Sequence, residues 1–422
     1  MKTSTLLLCA AMLALGVVQT KAQMSEYDYN QPVGWATVDG GVTGSNDENP
    51  VEVSTLSDLR RELTGSTAKT IYINGTIEFD GILEIDGVSN KTIYGLKEAR
   101  LVNNNVPEIY TEEENEKKAG EAKDPDETGI LIFKRCNNII IRNLTFESAG
   151  AYDVEGNDNL CFQDCQRIWV DHCDFQDGMD GNLDCNHTSD YIAVTWCCFH
   201  YQKPAIAGGK ETDDHRFSNL WGGGDNQTDS HGHLNTTFYA CWWGEGCRER
   251  MPRVRFGKVH ILNCLYSTTV ANYCISAGYL SNLYVERNAF VGNFNKIWRT
   301  NVSSSYPDYH ITLTGNIGTE DHKEGAGSDD YFIPSDYYTL EGMPVDLVET
   351  EVSTYAGATL NVEYGEGVTT GISNIGVSDA DVVSTEYFSP SGTRLNAPQR
   401  GLNIVRQKMS DGTVRTRKTI VK

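Results

Sequence analysis

The chain has 422 residues, with 58 acidic against 35 basic side chains and a formal charge of -23. Such a balance argues against nucleic acid as a partner, because that affinity rests on Lys and Arg contacts to phosphate. The longest apolar run, Leu6 to Val18, is too short to span a bilayer, so no transmembrane segment is expected.

That run follows Lys2 and leads into Thr20-Lys21-Ala22, a small-residue pattern of a cleavage site. Residues 1–22 therefore read as a signal peptide, and the mature chain starts near Gln23 as a secreted protein, expected to be monomeric. Removing Lys2 and Lys21 takes the charge from -23 to -25. Of the 12 cysteines, Cys9 goes with the leader, so the remaining number is odd and not all can pair with one another.

Thr55-Leu56-Ser57-Asp58 has the form of a capping box, predicting a short helix through Leu63 that closes the N-terminal end of a stack of strands. Early strands are expected from Ile71 to Phe79 and from Ile93. The stretch from Glu108 to Glu127, with nine acids and three lysines, reads as a solvated loop. A pattern then recurs in which alternating apolar residues reach an aromatic at the eighth position. It runs from Ile139 to Phe146, Ile168 to Phe175, Ile192 to Phe199, Thr236 to Trp243, Val259 to Tyr266 and Leu283 to Phe290. Period-two alternation means strands with one buried face. A spacing in the low twenties makes each strand one rung of a stack. The gap of 44 between Ile192 and Thr236 fits either two rungs or one with an insertion around Trp221 to Asp229. The sixth position holds Leu144, Cys173, Cys197, Cys241, Cys264 and Asn288, a ladder of buried thiols rather than disulfides. After Ile317 the period fades. From Arg394 to Lys422 the tail carries eight basic residues and one acid.

Residues at a similar phase of successive coils stack on one face. Asp158, Asp180, Asp184, Lys203, Arg250 and Arg255 all follow repeat strands, and their phases place them along one groove, acids first and bases beyond. Three carboxylates from adjacent rungs make a hard oxygen site suited to calcium, although Asp and Asn are also common in solenoid turns. Four arginines in Cys247-Arg248-Glu249-Arg250-Met251-Pro252-Arg253-Val254-Arg255 favour a ligand bearing carboxylates. His231-Gly232-His233 is a weak metal signal without further ligands.

Trp169-Val170-Asp171-His172, Asp180-Gly181-Asn182-Leu183-Asp184, Asp190 to Trp196 and Arg250 to His260 together resemble the successive signatures of the pectate lyase family, over roughly Val51 to Asn316. The resemblance implies an all-β fold, a right-handed single-stranded parallel β-helix, spanning residues 23–376, with a small C-terminal β-rich module at 377–422. It implies Asp158, Asp180 and Asp184 as Ca2+ ligands, Arg250 as the base, and Lys203 and Arg255 as contacts to substrate carboxylates. Lys203 stands four residues beyond Phe199, where the family's groove lysine usually stands five beyond the equivalent residue. Asp171 and His172 are expected to be structural. The activity so implied is calcium-dependent cleavage of polygalacturonate (pectate) by β-elimination, leaving a 4,5-unsaturated sugar. Rival readings are a pectin lyase, a polygalacturonase-type hydrolase on the same solenoid, and a non-catalytic pectin-binding surface protein. The tail segments Tyr387 to Arg394, Gly401 to Arg406 and Lys418 to Lys422 resemble sorting domains of the type IX secretion route, with an ordinary terminal β-module as the alternative.

Overall fold

The computed structural model describes residues 24–362, 364, 382–389, 394–395, 397–409 and 414–421. The expected signal peptide and the expected boundary at residue 376 lie outside them. The chain divides into two compact units, Met1–Gly371 and Ile372–Lys422.

The first unit is a parallel β-helix. Each coil contributes one strand to each of three sheets in a fixed order: a floor sheet, an 11-stranded long sheet and a back sheet. One full coil is Leu160–Gln163 in the floor, Gln166–Asp171 in the long sheet and Asp174–Gln176 in the back. The bends from floor to long sheet and from long sheet to back are mostly tight, whereas the connection from back to the next floor strand is usually longer. The bend out of the long sheet needs a left-handed residue in each coil. Asn143, His172, Trp196, Ala240, Asn263 and Arg287 form that column, with φ of 57°, 46°, 50°, 53°, 54° and 52°. Asn143, His172 and Asn263 are of types that adopt this region more readily, but Trp196, Ala240 and Arg287 are not, and the stacking holds them there.

The predicted repeat is the observed register. Ile139, Ile168, Ile192, Thr236, Val259 and Leu283 are successive partners in the long sheet. Phe146, Phe175, Phe199, Trp243, Tyr266 and Phe290 are successive partners in the back sheet, their rings stacked at 4.8, 5.2, 5.6, 4.8 and 4.4 Å between centroids. Ile192 pairs directly with Thr236, so the gap is one rung. Trp221 belongs to its floor strand, and the extra residues lie on both sides of it, in 201–219 and 222–235. Cys173, Cys197, Cys241 and Cys264 form the buried ladder, each thiol donating to a backbone carbonyl, and all eleven cysteines of the described residues are buried and unpaired. A second column, Cys136, Cys165 and Ser189, runs beside the floor sheet: Cys136 N–H donates to Cys165 Sγ and Cys165 N–H to Ser189 Oγ at 2.9 Å.

The ends differ from the middle. Helix Leu56–Thr64 is capped by Thr55, which accepts from Asp58 N–H at 3.2 Å, and it buries Leu59 and Leu63. The early rung is out of phase with the expected one. Ile93 pairs with Ile141, so Lys91 occupies the place of Ile139, fully buried, its Nζ donating to the Glu62 carbonyl at 2.7 Å. At the far end His322–Ala326 pairs antiparallel with Tyr309–Thr314, where the period fades. The acidic stretch 108–127 is more ordered than a solvated loop. Thr111 and Glu114 form a reciprocal cap on a helical turn, Glu112–Asn115, and Ala122 packs against Tyr152, Val154 and Met179. The second unit is a four-stranded antiparallel sheet in the order Arg394–Leu395, Val382–Phe388, Gly401–Met409, Val414–Val421.

Asp171 is the buried electrostatic anchor of the coils. It accepts from Arg142 Nε at 2.7 Å, lies 2.9 Å from His172 Nδ1, and accepts from the Thr195 hydroxyl. Burial alone would raise its carboxyl, but His172 and Arg142 outweigh it and hold it down at about 2. A group whose pKa is depressed in the folded state stabilises above its unfolded value and loses that stabilisation as pH falls through the folded one. Asp171→Asn is therefore expected to cost roughly 3–5 kcal/mol at pH 7, as when one partner of a buried ion pair is removed. Thermal melts of the two proteins should converge as pH falls from 4 toward 2; a constant gap over that range would show that the charge is not what matters.

Candidate active site

The connections from back to floor sheet carry most of the site. Asp158 ends the connection before Leu160–Gln163, Asp180 lies in the one before Leu183–Asn186, and Arg250 in the one before Arg253–Val254. Asp184 stands within its floor strand. Side-chain alternation fixes which residues of that sheet face outward. Cys185, Trp221, Val254 and Ala277 are register partners and lie in the core, so the residues one earlier, Asp184, Leu220, Arg253 and Ser276, form a row on the opposite face.

Asp158 is buried, and its Oδ1 has no hydrogen-bond partner. Gly181 keeps the space before it clear: a Cβ there would stand 2.6 Å from Asp158 Oδ1 and 3.2 Å from Asp184 Oδ1. Two carboxylates from neighbouring coils thus face one small space that a side chain would fill. Asp184 Oδ1 also accepts from Leu220 N–H at 2.8 Å. Burial, then the charges of Asp184 and Asp180, push the Asp158 carboxyl well above its usual range. Burial likewise pushes Asp184 up to about 7, although Arg250 draws it down. Buried acids so crowded resist joint ionisation unless a cation compensates them. An orphaned carboxylate oxygen, a cradle cleared by glycine and two facing carboxylates fit a hard cation such as calcium, while Asp180 is not drawn with them into a set of three oxygens within 4.8 Å of one another.

Asp180 is held by a residue without a sequence signal. His215 Nε2 lies 3.0 Å from Asp180 Oδ1, and its Nδ1 lies 3.5 Å from Asp153 Oδ1. Asp153 is fixed in turn by Glu211 and Thr212 N–H groups at 2.9 and 2.7 Å. Burial works against a charged His215, yet Asp153 and Asp180 raise it to about 9. Its ring packs on Phe217 at 4.2 Å, and the Arg250 guanidinium lies 4.7 Å from the same phenyl ring. Arg250 itself has a left-handed backbone, φ 60°, and its Nε is buried without an acceptor. Burial opposes its charge, but Asp184 and Asp180 keep its proton affinity above the ordinary value.

Arg255 is pinned by Asp225 Oδ1 at 2.6 Å and the Gly222 carbonyl at 2.7 Å, both from the 222–235 insertion. Lys203 donates from Nζ to Glu147 at 3.0 Å and to the Ser148 carbonyl at 2.6 Å, while its backbone N–H donates to Asp177 at 2.8 Å. The structure therefore brings Asp158, Asp180, Asp184 and Arg250 into one electrostatic cluster, sets Arg255 beside Asp225, and ties Lys203 to the end of a back strand. His172 and Asp171 are structural, as expected. His231 packs on Phe256 at 5.1 Å and His233 lies 3.4 Å from Asp190.

Three sheets stacked coil upon coil define a class, the parallel β-helix proteins. The pectate lyase family profile matches residues 1–361, and the chain belongs to that family. It is 30% identical over 281 residues to the pectate trisaccharide-lyases of Thermotoga sp. (strain RQ2) and Thermotoga maritima, an alignment that takes in 63% of this chain. The chain spans about two thirds of the length of these relatives, 66% and 65%. To pectate lyase A of Aspergillus niger it is 27% identical, over 78% of this chain and 87% of that one. Among solved structures, a pectate lyase bound to hexasaccharide superposes with TM-score 0.59 at 20% identity, over 82% of this chain and all of the other. The pectate lyase of Acidovorax avenae subsp. citrulli superposes with TM-score 0.62 at 13% identity, over 83% and 99%. These likenesses fix the fold as the right-handed parallel β-helix.

The burial of Asp158 carries a stability prediction. In chelator, Asp158→Asn should melt at or above the wild-type temperature, because it removes a carboxylate that is costly to ionise there. In millimolar calcium the order should reverse, since only the wild type gains stability from binding. Differential scanning calorimetry in both buffers checks this; an equal calcium-induced shift in the two proteins would exclude Asp158 as a ligand.

Proposed function

We propose that the chain is a secreted, calcium-dependent pectate lyase that cleaves α-1,4-linked polygalacturonate by β-elimination. The observation that carries the reading is the small space cleared by Gly181, faced by Asp158 and Asp184, in one electrostatic cluster with a half-buried Arg250 whose Nε is enclosed without an acceptor. Membership of the family and the names of its relatives support the same activity.

Asp158, Asp180 and Asp184 would hold calcium, whose positive charge, when bound, favours build-up of negative charge on the substrate's uronate. Arg250 takes the C5 proton: the C5–H bond breaks, its electrons form the C4–C5 double bond, and the C4–O bond breaks as the glycosidic oxygen leaves with the pair. Arginine is an awkward base, and in the metal-free chain Asp184 and Asp180 hold its proton more firmly still. Turnover is therefore expected only when those carboxylates are otherwise compensated, and to rise toward alkaline pH. Arg255, oriented by Asp225, and Lys203, oriented by Glu147, bind substrate carboxylates in ground and transition states alike. Two positioned guanidiniums favour elimination over hydrolysis, which needs a pair of carboxyls flanking the bond, one protonated. Secretion is proposed through residues 1–22 as a signal peptide and 377–422 as a sorting-like tail.

Incubation with polygalacturonate should yield a product with the ultraviolet absorbance of a conjugated uronate, lost in chelator and restored by calcium. A reducing-sugar product without that absorbance would assign a hydrolase, and binding without any product a non-catalytic protein. Arg250→Lys keeps the charge, so it should lower kcat by about a thousandfold, roughly 4 kcal/mol, with affinity changed only a few-fold. Near-normal kcat would make Arg250 an electrostatic contact only. Arg255→Ala should raise KM as well as lower kcat.

A further inference from the structure

The outward row of the floor sheet continues past the proposed base. Arg253 pairs with Ser276, and Ser276 with Arg299, so the two arginines stand two coils apart on the same face. At about 4.8 Å per coil they are separated by about 10 Å along the groove floor. Arg255 is neutralised by Asp225, but among the described residues no carboxylate lies within ion-pair distance of Arg250, Arg253 or Arg299. This is not for want of acids in a chain with 58 of them. Arg253 is met only by a neutral group, the Asn301 carboxamide oxygen, which in one orientation of the amide accepts from its Nε at 3.3 Å and from its Nη2. Arg299 donates to the backbone carbonyl of Thr300 at 3.3 Å and, in the other orientation of that amide, from Nη2 to Asn301 Oδ1 at 3.3 Å, so the two guanidiniums share a carboxamide and not a carboxylate.

Between the two rungs lies a platform rather than a counter-ion. The Arg299 guanidinium lies 5.0 Å from the centre of the Tyr273 ring, and Tyr273 is buried; burial and the charge of Glu249 raise its hydroxyl, while Arg253, Arg250 and Arg299 draw it down. Beneath them the Ser276 hydroxyl is buried without a partner. Burial, together with the positive Arg255 and Arg250, lowers Arg253 to about 10, the direction expected of a cation site that lacks its anion. Guanidiniums without a carboxylate partner, two coils apart and one of them packed on an aromatic ring, make a receptor for planar carboxylates.

We infer that Arg253 and Arg299, braced by Tyr273, form a further carboxylate-binding subsite that reads a uronate of the polymer beyond the one at Arg250. This rests on the pectate lyase reading above and specifies which direction along the groove the substrate extends: from the acids, past Arg250, toward the coil of Trp298–Asn301. The subsite would hold the chain in register without touching the reacting atoms, so its contribution appears in binding and depends on substrate length.

The test uses the full chain carrying Arg250→Lys, to silence turnover, with and without Arg299→Ala, and titrates galacturonate oligomers of increasing length by calorimetry. Affinity should rise with length in the parent, and Arg299→Ala should remove about a tenfold part of that rise, the scale of one charge-assisted contact. Arg299→Lys should recover part of it, which a fold defect would not. Circular dichroism checks folding, and Arg299, two coils from Arg250, is the position to vary. If both proteins gain equally with length, the subsite is overturned. That failure is distinguishable from failure of the functional reading, which would show as absence of unsaturated product from the wild-type chain.

Discussion

Parallel pairing from coil to coil is the constraint on which everything else depends. Every interior strand of the solenoid pairs in parallel with the coil before and the coil after, so side chains at one phase must stack. The column of Phe146, Phe175, Phe199, Trp243, Tyr266 and Phe290 shows what this does to packing: rings are held face to face at 4.4–5.6 Å along the back sheet. On the outer face the register partner of Asp184 is Cys161, and Asp158 stands in the connection just before that strand, so two carboxylates of neighbouring coils meet without sharing a phase. Asp158 and Asp184 are forced together by the backbone regardless of what their charges prefer.

That forcing explains how the site can be pre-organised without a dedicated scaffold. Asp158, Asp180 and Arg250 sit in connections that begin and end on fixed strands, and each is braced by a neighbour: Gly181 by its lack of a side chain, His215 between Asp153 and Asp180, Phe217 under Arg250. The buried charges cost stability in the free chain, and the fold carries that cost through its long apolar interior. A cation or a polyanionic substrate would relieve it, so ligand binding and folding stability are coupled at this face.

Much of this was legible from the residues alone because a solenoid turns sequence period directly into spatial register. Ile139 through Leu283 pair as their spacing implied, and the thiols of Cys173 to Cys264 fall in one buried column. What escaped notice lacked periodicity. Lys91 substitutes a charge for an apolar residue, so the first coils looked two residues out of phase. Cys136, Cys165 and Ser189 form their column at a bend, where the alternation used to find strands has no meaning. His215 lies in an insertion, and its partners Asp153 and Asp180 are 62 and 35 residues away in sequence. Thr111 to Glu114 carries a capping signal hidden within a run of acids. Arg253 and Arg299 could have been paired only by knowing that Ser276 stands between them.

The two ends of the stack have a consequence for the molecule in bulk. An open parallel sheet offers its last strand to any similar sheet, and a solenoid exposed at both ends could add to its own kind indefinitely. Here the first strand of the long sheet, Val51–Val53, is only three residues long, and beneath the lid helix the interior is stoppered by the buried Lys91 ammonium on the Glu62 carbonyl. The other edge is reversed in direction by His322–Ala326, which presents His, Lys and Glu side chains instead of a matching parallel edge. A chain whose every coil is a template for the next thus closes on edge strands that are short at one end and reversed and charged at the other, the features by which sheets disfavour edge-to-edge addition.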